Sequence, residues 1–515
     1  MTGMSDRAPL SGGYRNISEE RCVNCMKKRS SVQILSAILA LSLLLPSCSQ
    51  GTVSDDTEKE TESGIDGSIG DTTADDGYTP PDKDFGGRTL NFYMWTENKF
   101  SASEETGDII EDAVYKRNRK VEELFNVSFT YDIRTGDWQT WKDWIGVLNS
   151  SILAGDDAYQ LVGGYGYRLA RETLGDTFQN LKENPYIDFS KPWWPANITD
   201  AANAGSRVGL CFGNLDPNFY DTTYAVYFNK KLAADNSIGN MYDLVYDGKW
   251  TLDKLYEFSE AGARDLDGDT IIGENDQYGL ILDKTMSVDA FLQSSDIMIS
   301  EKDADGIPTL LGLSEKLVDL QENLRDFIYR SGSVLYEADD MNLLTGAFMS
   351  GRSLFFANNL SRAHTLRDMN DDFGIIPYPK YDEAQDGYKT YNAIGNSTAF
   401  AIPTGADSEL AGCVIEALAY YGWNDILPEY YERALKGKVA RDNDSEAMLD
   451  LIMNNIEFDF IQIYSYCFAF KYGDKMSPSL ALRMSVQTDS ELTSFWASNQ
   501  NIYDEIMSEL IASIS

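Results

Sequence analysis

Four aspartates in the segment DLDGDTIIGEND are spaced like the ligands of a calcium-binding loop. They stand at positions one, three, five and twelve, with a backbone carbonyl at position seven, so the expected ligand set is Asp265, Asp267, Asp269, Ile271 and Asp276. Acidic residues are so frequent, 82 of 515, that this spacing also arises by chance, and Thr270 stands where the sharp turn usually needs glycine. We predict one structural Ca²⁺, with a solvated acidic loop as the alternative.

Side chains for other metal or nucleophilic chemistry are scarce. The single histidine, His364, lies in the segment SRAHTLRDM, which predicts the exposed face of a helix. One histidine cannot build a histidine-rich zinc site, and a serine–histidine triad would have to use this residue. Neither a phosphate-binding glycine loop nor a dinucleotide fingerprint occurs in the sequence. We predict that the protein is not an enzyme. A glycoside hydrolase remains an alternative, because its paired carboxylates need not be close together in the sequence.

Cys48 closes an apolar segment near the start of the chain and indicates a lipid anchor. The segment SSVQILSAILALSLLLPS follows the basic cluster MKKR, an arrangement typical of a signal peptide. Small residues directly before a cysteine resemble the lipobox of bacterial lipoproteins, which implies diacylglycerol on the Cys48 sulfur and attachment to the bacterial cell membrane. We therefore predict an overlong start over 1–25 and a lipoprotein signal peptide over 26–47, with an ordinary secreted protein as the alternative.

The residues that follow predict a flexible tether over 48–84. Between Ser49 and Asp84 there are eleven acidic residues, two lysines and almost no apolar side chains. Such a composition cannot bury enough surface to fold, and its charges repel one another. We expect this segment to hold a globular part away from a membrane.

The remaining chain is acidic, poor in cysteine and long enough for two lobes. The net charge of −39 argues against nucleic acid or an anionic membrane surface as a partner. The exported part has an odd number of widely spaced cysteines, which predicts buried thiols and no disulfide framework; they are Cys211, Cys413 and Cys467.

Strands and helices alternate at the beginning of this region. The segments RTLNFYMW, VSFTYDI and AYQLVGGY read as strands, and segments with apolar residues at helical spacing lie between them. This alternation predicts an α/β sheet with crossover connections, in which ligands bind beyond the carboxyl ends of the strands. The rule selects residues that follow the first and third strands, namely Trp95, Glu97, Tyr165 and Tyr167.

Six later segments occur in the order found in one family of bacterial receptors. They are KPWWPANITDAA, LCFGNLDPNFYDTTYAVYFNKKLA, DGKWTLDKLYEFSEAGARDLDGDTIIGENDQYGL, LLTGAFMSGRSLFFANNL, DDFGIIPYPKYD and NSTAFAIPTGA. From Thr89 to about Trp423 the chain resembles extracellular solute-binding proteins of family one, the maltose-binding-protein-like receptors of sugar-type ABC importers. The resemblance implies an α/β, two-lobed periplasmic-binding-protein-like fold of type II, in which each lobe is a sheet flanked by helices and hinge crossovers join the lobes.

The resemblance also implies how the chain divides between the lobes. The expected segments are 85–227 and 373–425 for the first lobe and 228–372 and 426–515 for the second. A first hinge is expected near Tyr227 to Asn229, and two prolines in DFGIIPYPK fix an extended return path. A helix over 408–421 would then pack on the first lobe, and a terminal helix would bury Ile506 and Leu510.

In such receptors a sugar lies in the cleft between the lobes. Aromatic faces stack on the apolar face of a pyranose, while amides, carboxylates and arginines bind its hydroxyl groups. The positions that the resemblance and the strand-end rule place at the cleft are Trp95, Glu97, Tyr165, Tyr167, Asp216, Asn218, Phe219, Tyr220, Asn358, Asn359, Arg362 and Tyr391. Trp193 and Trp194 either face the cleft or pack under a lobe edge.

The implied function is capture of a carbohydrate outside the cytoplasm. The receptor, expected to be a monomer, would close on an oligosaccharide by hinge motion and deliver it to ABC permease subunits driven by a cytoplasmic ATPase. A surface lipoprotein that captures or senses glycans without import is the first alternative. A glycoside hydrolase is the second.

Overall fold

The computed structural model describes residues 77–203, 205, 207–270, 272–273, 275–337, 340–437, 440–467, 469–473 and 477–514. The predicted signal peptide, Cys48, the tether up to residue 76 and Ile271 lie outside these residues. The described strands are β1 (Arg88–Trp95), β2 (Val127–Arg134), β3 (Leu161–Tyr165), β4 (Tyr224–Asn229), β5 (Tyr278–Asp283), β6 (Ser300–Lys302), β7 (Pro308–Leu310), β8 (Val334–Glu337), β9 (Ser353–Asn359), β10 (Phe373–Ile376), β11 (Thr390–Tyr391), β12 (Thr398–Ala401) and β13 (Ile456–Glu457).

Helices connect and cover these strands. The α-helices are α1 (Ile109–Phe125), α2 (Trp141–Ala154), α3 (Gly166–Glu172), α4 (Ala196–Ala202), α5 (Asn218–Asp221), α6 (Lys230–Asp235), α7 (Met241–Tyr246), α8 (Leu252–Gly262), α9 (Met286–Ser294), α10 (Glu315–Arg330), α11 (Met341–Met349), α12 (Ser361–Leu366), α13 (Ser408–Tyr421), α14 (Asn443–Asn454), α15 (Phe460–Ile463), α16 (Ala469–Tyr472), α17 (Ala481–Gln487) and α18 (Leu492–Ile514). Two π-helical turns follow α13, over Gly422–Ile426 and Glu429–Lys436.

The first sheet has the strand order β12-β3-β1-β2. β1 runs parallel to both β2 and β3, and β12 runs antiparallel to β3. The carboxyl ends of its parallel strands therefore lie on one edge, at Trp95, Arg134 and Tyr165. This is the arrangement that the alternating sequence pattern predicts, with the first three strands and their two connecting helices at the expected places.

The second sheet has the strand order β10-β4-β9-β5-β8. β5 is parallel to β8 and β9, so the carboxyl ends Asp283, Glu337 and Asn359 share one edge. β4 is antiparallel to β9 and to β10. Because β4 and β10 both hydrogen-bond within this sheet, sheet membership does not coincide with the lobe boundaries predicted at 227 and 373.

Local signals set the bounds of several helices. Asp108 caps α1 by accepting two backbone N–H groups at 2.9 and 3.2 Å. α2 ends before Gly155, which adopts the left-handed conformation with φ 63° that glycine tolerates best. α13 has the predicted bounds because Asp407 caps its first turn at 3.1 Å and Gly422 begins a π-helical turn.

The core is built on both sheets. α13 covers the first sheet, where Leu410 packs with Leu90 and Phe92 in one buried cluster. Ile506 and Leu510 of α18 are buried, as the sequence spacing predicts. In the described part of the chain the three cysteines are buried thiols without disulfide partners. Among the described residues, none of the helices combines the length and the apolar character that a membrane span requires.

The described end of the predicted tether packs on the domain. Tyr78 stacks on Tyr420 with ring centroids 4.6 Å apart and meets Trp193 edge-on at 5.6 Å. An aromatic side chain with such partners is not free, so the predicted flexible segment 48–84 extends too far at its C-terminal end. The acidic composition predicted a tether up to residue 84, but Tyr78 is a large aromatic residue near that end and packs on the domain.

Candidate functional site

Two aromatic residues at neighbouring strand ends of the first sheet stack on each other. The rings of Trp95 and Tyr165 lie 5.3 Å apart at an interplanar angle of 24°. Trp95 is buried, and its Nε1 donates to Thr398 Oγ1 at 2.9 Å. Tyr165 is half-buried, and its hydroxyl donates to Asn396 Oδ1 at 3.0 Å. The sheet thus presents the Tyr165 ring at its edge, with Trp95 as the layer beneath.

Asp216 and Asn218, predicted to bind ligand, are engaged beneath this layer. The Thr398 hydroxyl donates to Asp216 Oδ2 at 2.5 Å, and Asn218 Nδ2 donates to Thr398 Oγ1 at 3.0 Å. Burial raises the pKa of Asp216, although hydrogen bonds from Thr398 and the backbone N–H groups of Asn218 and Lys99 oppose the increase. The structure therefore gives these two residues a role in fixing the Trp95 indole.

Tyr167 connects the edge of the first sheet to the second. It lies on α3, edge-on to Tyr165 at 5.9 Å, and its hydroxyl is 3.8 Å from the sulfur of Met286. The Tyr391 hydroxyl reaches the same sulfur at 3.4 Å. Met286 begins α9, directly after β5 of the second sheet, so one flexible side chain fills the junction between the two sheets.

Two further residues extend this array of rings. Tyr466 meets Tyr167 edge-on at 4.8 Å. The guanidinium of Arg168 lies 4.9 Å from the Tyr466 ring and 4.4 Å from the Trp141 ring, a cation between two aromatic faces. We call the five rings Trp95, Tyr165, Tyr167, Tyr391 and Tyr466 the aromatic site. Within it, Tyr165 and Tyr466 are only half-buried.

A buried ion pair borders the aromatic site. Arg483 Nη2 lies 3.2 Å from Asp289 Oδ2 and donates to the Tyr466 hydroxyl at 3.1 Å. Burial raises the pKa of Asp289 to about 7, with Arg483 opposing the increase and Asp283 adding to it. Among the described residues, neither Asp289 Oδ1 nor Arg483 Nε has a hydrogen-bond partner. The pair therefore has one hydrogen-bond acceptor and one donor without partners beside the aromatic site.

The second sheet contributes a saturated carboxylate near this pair. Asp283, at the end of β5, accepts from Asn358 Nδ2 at 3.1 Å and from the hydroxyls of Thr285 and Ser287. Asn358, predicted to bind ligand, is buried and held by this contact. Tyr391 belongs to the aromatic site, so of the predicted second-lobe and return residues it alone joins the rings.

The other predicted residues lie apart from the aromatic site. Glu97 is exposed, and only its backbone carbonyl accepts from Asn218, at 3.2 Å. The Asn359 side chain accepts from the Ser361 hydroxyl at 2.5 Å, and Arg362 is half-buried on α12.

Four aromatic residues are packing elements. Phe219 and Tyr220 are buried and pack against Phe458 and Tyr430. Trp193 and Trp194 are buried, and both indoles donate to Glu416 at 2.8 Å. For the tryptophan pair, packing under a lobe edge is therefore the correct alternative, because their polar atoms and faces are used within the first lobe.

Six residues at or beside the site were not predicted from the sequence: Asn396, Arg168, Met286, Asp289, Tyr466 and Arg483. Met286 and Asp289 follow β5, so the strand-end rule would have selected them had YGLILD been read as a strand. Arg168 directly follows a residue that was selected. Tyr466 and Arg483 come from the C-terminal third, where no pattern marks a site.

A cavity of about 560 Å³ lies elsewhere. It separates the loop after β1 from α12, and none of the predicted ligand residues lines it. On one side His364 Nε2 is 3.7 Å from Asp221 Oδ1, which also accepts from the Tyr430 hydroxyl at 2.8 Å. Burial raises the pKa of Asp221, but contacts with His364, Lys99 and Tyr430 outweigh it and leave that pKa below its ordinary value. His364 lies on α12 with its side chain 41% exposed, as predicted, and this contact ties it to Asp221.

The four aspartates of the predicted calcium loop do come together. Ligand atoms of Asp265, Asp267, Asp269 and Asp276 all lie within 4.8 Å of one another. Thr270 adopts φ +73°, the left-handed conformation that a glycine would ordinarily supply. Backbone N–H groups of Gly273 and Leu266 donate to the Asp276 carboxylate and lower its pKa. The loop thus gathers carboxylates that repel one another unless a cation lies among them.

No family model matches the sequence, and the search of curated proteins finds no match. Solved structures match with probability 1.00. The sugar-binding protein MalE from Xanthomonas citri has a TM-score of 0.56 and 13% identity, covering 82% of this chain and 98% of that one. An ABC substrate-binding protein from Listeria monocytogenes in complex with cycloalternan has a TM-score of 0.52 and 12% identity, covering 82% of this chain and 99% of that one. UgpB from Mycobacterium tuberculosis in complex with glycerophosphocholine has a TM-score of 0.53 and 13% identity, covering 82% of this chain and 99% of that one. The chain has their two-lobed solute-binding fold, as predicted.

Proposed function

We propose that this protein is an extracytoplasmic substrate-binding protein of an ABC importer that captures a carbohydrate at the aromatic site. The observation that carries the proposal is the meeting of first-sheet rings with second-sheet polar groups: Tyr167 contacts Met286, and the Arg483–Asp289 pair borders the same rings. A ligand at this junction touches both lobes. Only such a ligand favours the closed state over the open one.

The chemistry of the site favours a sugar. Half-buried tyrosines offer faces for the C–H surface of a pyranose, and the free Asp289 Oδ1 and Arg483 Nε can exchange hydrogen bonds with its hydroxyl groups. MalE from X. citri is a sugar-binding protein and the L. monocytogenes protein was solved with cycloalternan, whereas UgpB was solved with glycerophosphocholine. Proteins with this fold therefore bind ligands of different classes, and the side chains of the site determine which class is bound.

The Met286 side chain occupies the position that the ligand would take. Two tyrosine hydroxyls point at its sulfur, a weak acceptor, at 3.4 and 3.8 Å. A sugar hydroxyl is a much better partner for both tyrosines than a thioether. Displacing the flexible methionine would therefore cost little and would replace two weak contacts by ordinary hydrogen bonds.

Delivery to a membrane permease with a cytoplasmic ATPase completes the proposal. Cys48 would carry the lipid, the acidic segment would act as a spacer, and the receptor would work as a monomer near its transporter. No enzymatic step is proposed, since the relatives in fold are binding proteins and Asp283 is saturated by three side-chain donors. Capture or sensing without import uses the same site and differs only in the partner.

One structural Ca²⁺ in the aspartate loop is a separate proposal. Asp265, Asp267 and Asp269 are exposed carboxylates gathered with buried Asp276, and their mutual repulsion would be relieved by a divalent cation. The loop joins α8 to β5, whose carboxyl end carries Asp283. Calcium would thereby stabilise the second lobe without touching the sugar.

A thermal-shift screen of the full chain tests the proposed function. The ligands are maltose, maltotetraose, cellobiose, glycerophosphocholine, amino acids and short peptides, each with and without calcium. Because binding to the folded state alone raises Tm, one carbohydrate class should produce a shift of several degrees with no product released on standing. A shift with peptides alone would contradict the carbohydrate proposal, and slow conversion of the sugar would make the protein a hydrolase.

A further inference from the structure

Trp138 is exposed at the edge of the first sheet. Its fractional exposure is 67%, whereas the other eight tryptophans of the chain are buried or half-buried. It lies between β2 and α2, beyond the carboxyl end of β2. An indole carries a large apolar face, so its exposure leaves unburied one of the strongest apolar contacts available to a protein.

The turn that carries Trp138 is fixed on both sides. Asp137 Oδ1 accepts the backbone N–H groups of Gln139 and Thr140 at 2.8 and 2.9 Å, and the Thr140 hydroxyl at 2.9 Å. On the other side, a Cβ added at Gly136 would lie 2.7 Å from Trp144 Cδ1, so glycine permits close packing there. Because the backbone of the turn is already fixed, ordering Trp138 against a ligand costs side-chain entropy only.

The same turn adjoins the aromatic site. Trp141, the first residue of α2, lies under the Arg168 guanidinium, which also contacts the Tyr466 ring. Burial raises the pKa of Tyr165, and the Asp137 carboxylate adds to the increase, which places Asp137 within electrostatic reach of that hydroxyl. A single exposed apolar residue is ordinary on a protein surface. Trp138 differs in that it lies on a fixed turn three residues before Trp141, which the Arg168 guanidinium links to the Tyr466 ring of the aromatic site.

We propose that Trp138 is an outer stacking platform for a second or third ring of an oligosaccharide whose inner ring occupies the aromatic site. This inference rests on the proposed function and adds that the ligand is longer than a monosaccharide. The exposed indole face would be covered by the C–H face of the outer sugar ring, while the inner ring meets Tyr165 and the Arg483–Asp289 pair. Affinity should therefore increase with chain length until the outer ring reaches Trp138.

Calorimetric titration of the full chain tests this length dependence. The probes are glucose with the maltodextrins from maltose to maltohexaose, and the cellodextrins from cellobiose to cellohexaose. The variants are Trp138→Ala, Trp138→Tyr and Tyr246→Ala, the last being an exposed aromatic residue on α7 that serves as the matched control.

In the preferred series we expect Trp138→Ala to weaken binding of the longer sugars about tenfold and to leave the shortest bound sugar unchanged. Trp138→Tyr should restore most of the loss, and Tyr246→Ala should match the wild type. Equal Kd values for Trp138→Ala and wild type at every length, or an equal loss at every length, would overturn this inference while the proposed function stands. No carbohydrate binding by the wild type would overturn both.

Discussion

The carboxylate of Asp289 lies 3.2 Å from the guanidinium of Arg483, and both side chains are almost completely buried. Removing two charges from water is costly, so an ion pair at such a position needs compensation from further hydrogen bonds. Among the described residues that compensation is incomplete, because Asp289 Oδ1 and Arg483 Nε lack partners. A bound polar ligand would supply them.

Asp289→Asn should therefore reduce both stability and carbohydrate affinity. At pH 8, where the Asp289 carboxyl with its pKa of about 7 is mostly ionised, the substitution leaves Arg483 buried without its counter-charge, which costs about 3 kcal/mol in the free energy of unfolding. Affinity should fall at least tenfold, because an amide cannot replace the carboxylate as a hydroxyl acceptor of the same strength. Urea denaturation and calorimetric titration measure the two effects.

The double variant Asp289→Leu with Arg483→Met separates stability from binding. Apolar residues of similar volume usually recover the stability lost when one member of a buried pair is removed. We expect the double variant to unfold near wild-type urea concentrations yet to bind sugar weakly. Wild-type affinity in Asp289→Asn would show that the pair does not contact the ligand.

The stability of the first lobe should depend on pH through Glu416. Burial raises the pKa of this carboxyl to about 7, against partial opposition from the indoles of Trp194 and Trp193. The folded protein therefore holds the proton more tightly than the unfolded chain does. The stabilisation is fully present below about pH 4.5 and is lost as pH rises through 7, by roughly 2–3 kcal/mol.

Urea unfolding between pH 4.5 and 8 measures this dependence. Glu416→Gln should make the curve shallower, since the amide does not titrate, and the dependence that remains includes that of Asp289, whose pKa burial also raises to about 7. Glu315→Gln, an exposed substitution on α10, should leave the shape of the curve unchanged. Parallel curves for wild type and Glu416→Gln would mean that Glu416 is already ionised throughout this range.

Calcium should raise Tm through the aspartate loop. With Asp265, Asp267, Asp269 and Asp276 gathered within 4.8 Å, binding of Ca²⁺ relieves repulsion in the folded state only. Chelation should lower Tm by several degrees, and the double variant Asp267→Asn with Asp269→Asn should remove the response. Asp319→Asn, exposed on α10, should retain it. If neither calcium nor a chelator changes Tm, the loop is a solvated acidic loop without a bound cation.

The sequence predicted the elements whose signals are local. The helix over 408–421, which the resemblance implied, matches α13. β1 follows from the apolar and aromatic segment RTLNFYMW, and the strand-end rule selected Trp95 and Tyr165, whose rings stack in the structure. These features need only neighbouring residues. The two-lobed fold followed from the order of short segments, although identity to the three solved structures named above is only 12–13%.

The site itself depends on contacts that no local pattern records. Asp216 was selected for its position before a crossover, yet its carboxylate is used by Thr398 to hold Trp95. Arg483 reaches Asp289 from a segment far along the chain, and a buried charge pair leaves no periodic trace in sequence. Polar residues near strand ends serve both support and recognition, and only the packed structure separates the two.

The dissociation constant of the best carbohydrate, measured by titration calorimetry for wild type, Tyr165→Ala and Tyr246→Ala, tests the central claim most directly. Tyr165 is the half-buried ring that the first sheet presents at the aromatic site, and Tyr246 is an exposed tyrosine on α7. We predict that Tyr165→Ala weakens binding at least tenfold while Tyr246→Ala does not change it. Equal dissociation constants for Tyr165→Ala and wild type would contradict carbohydrate capture at this site.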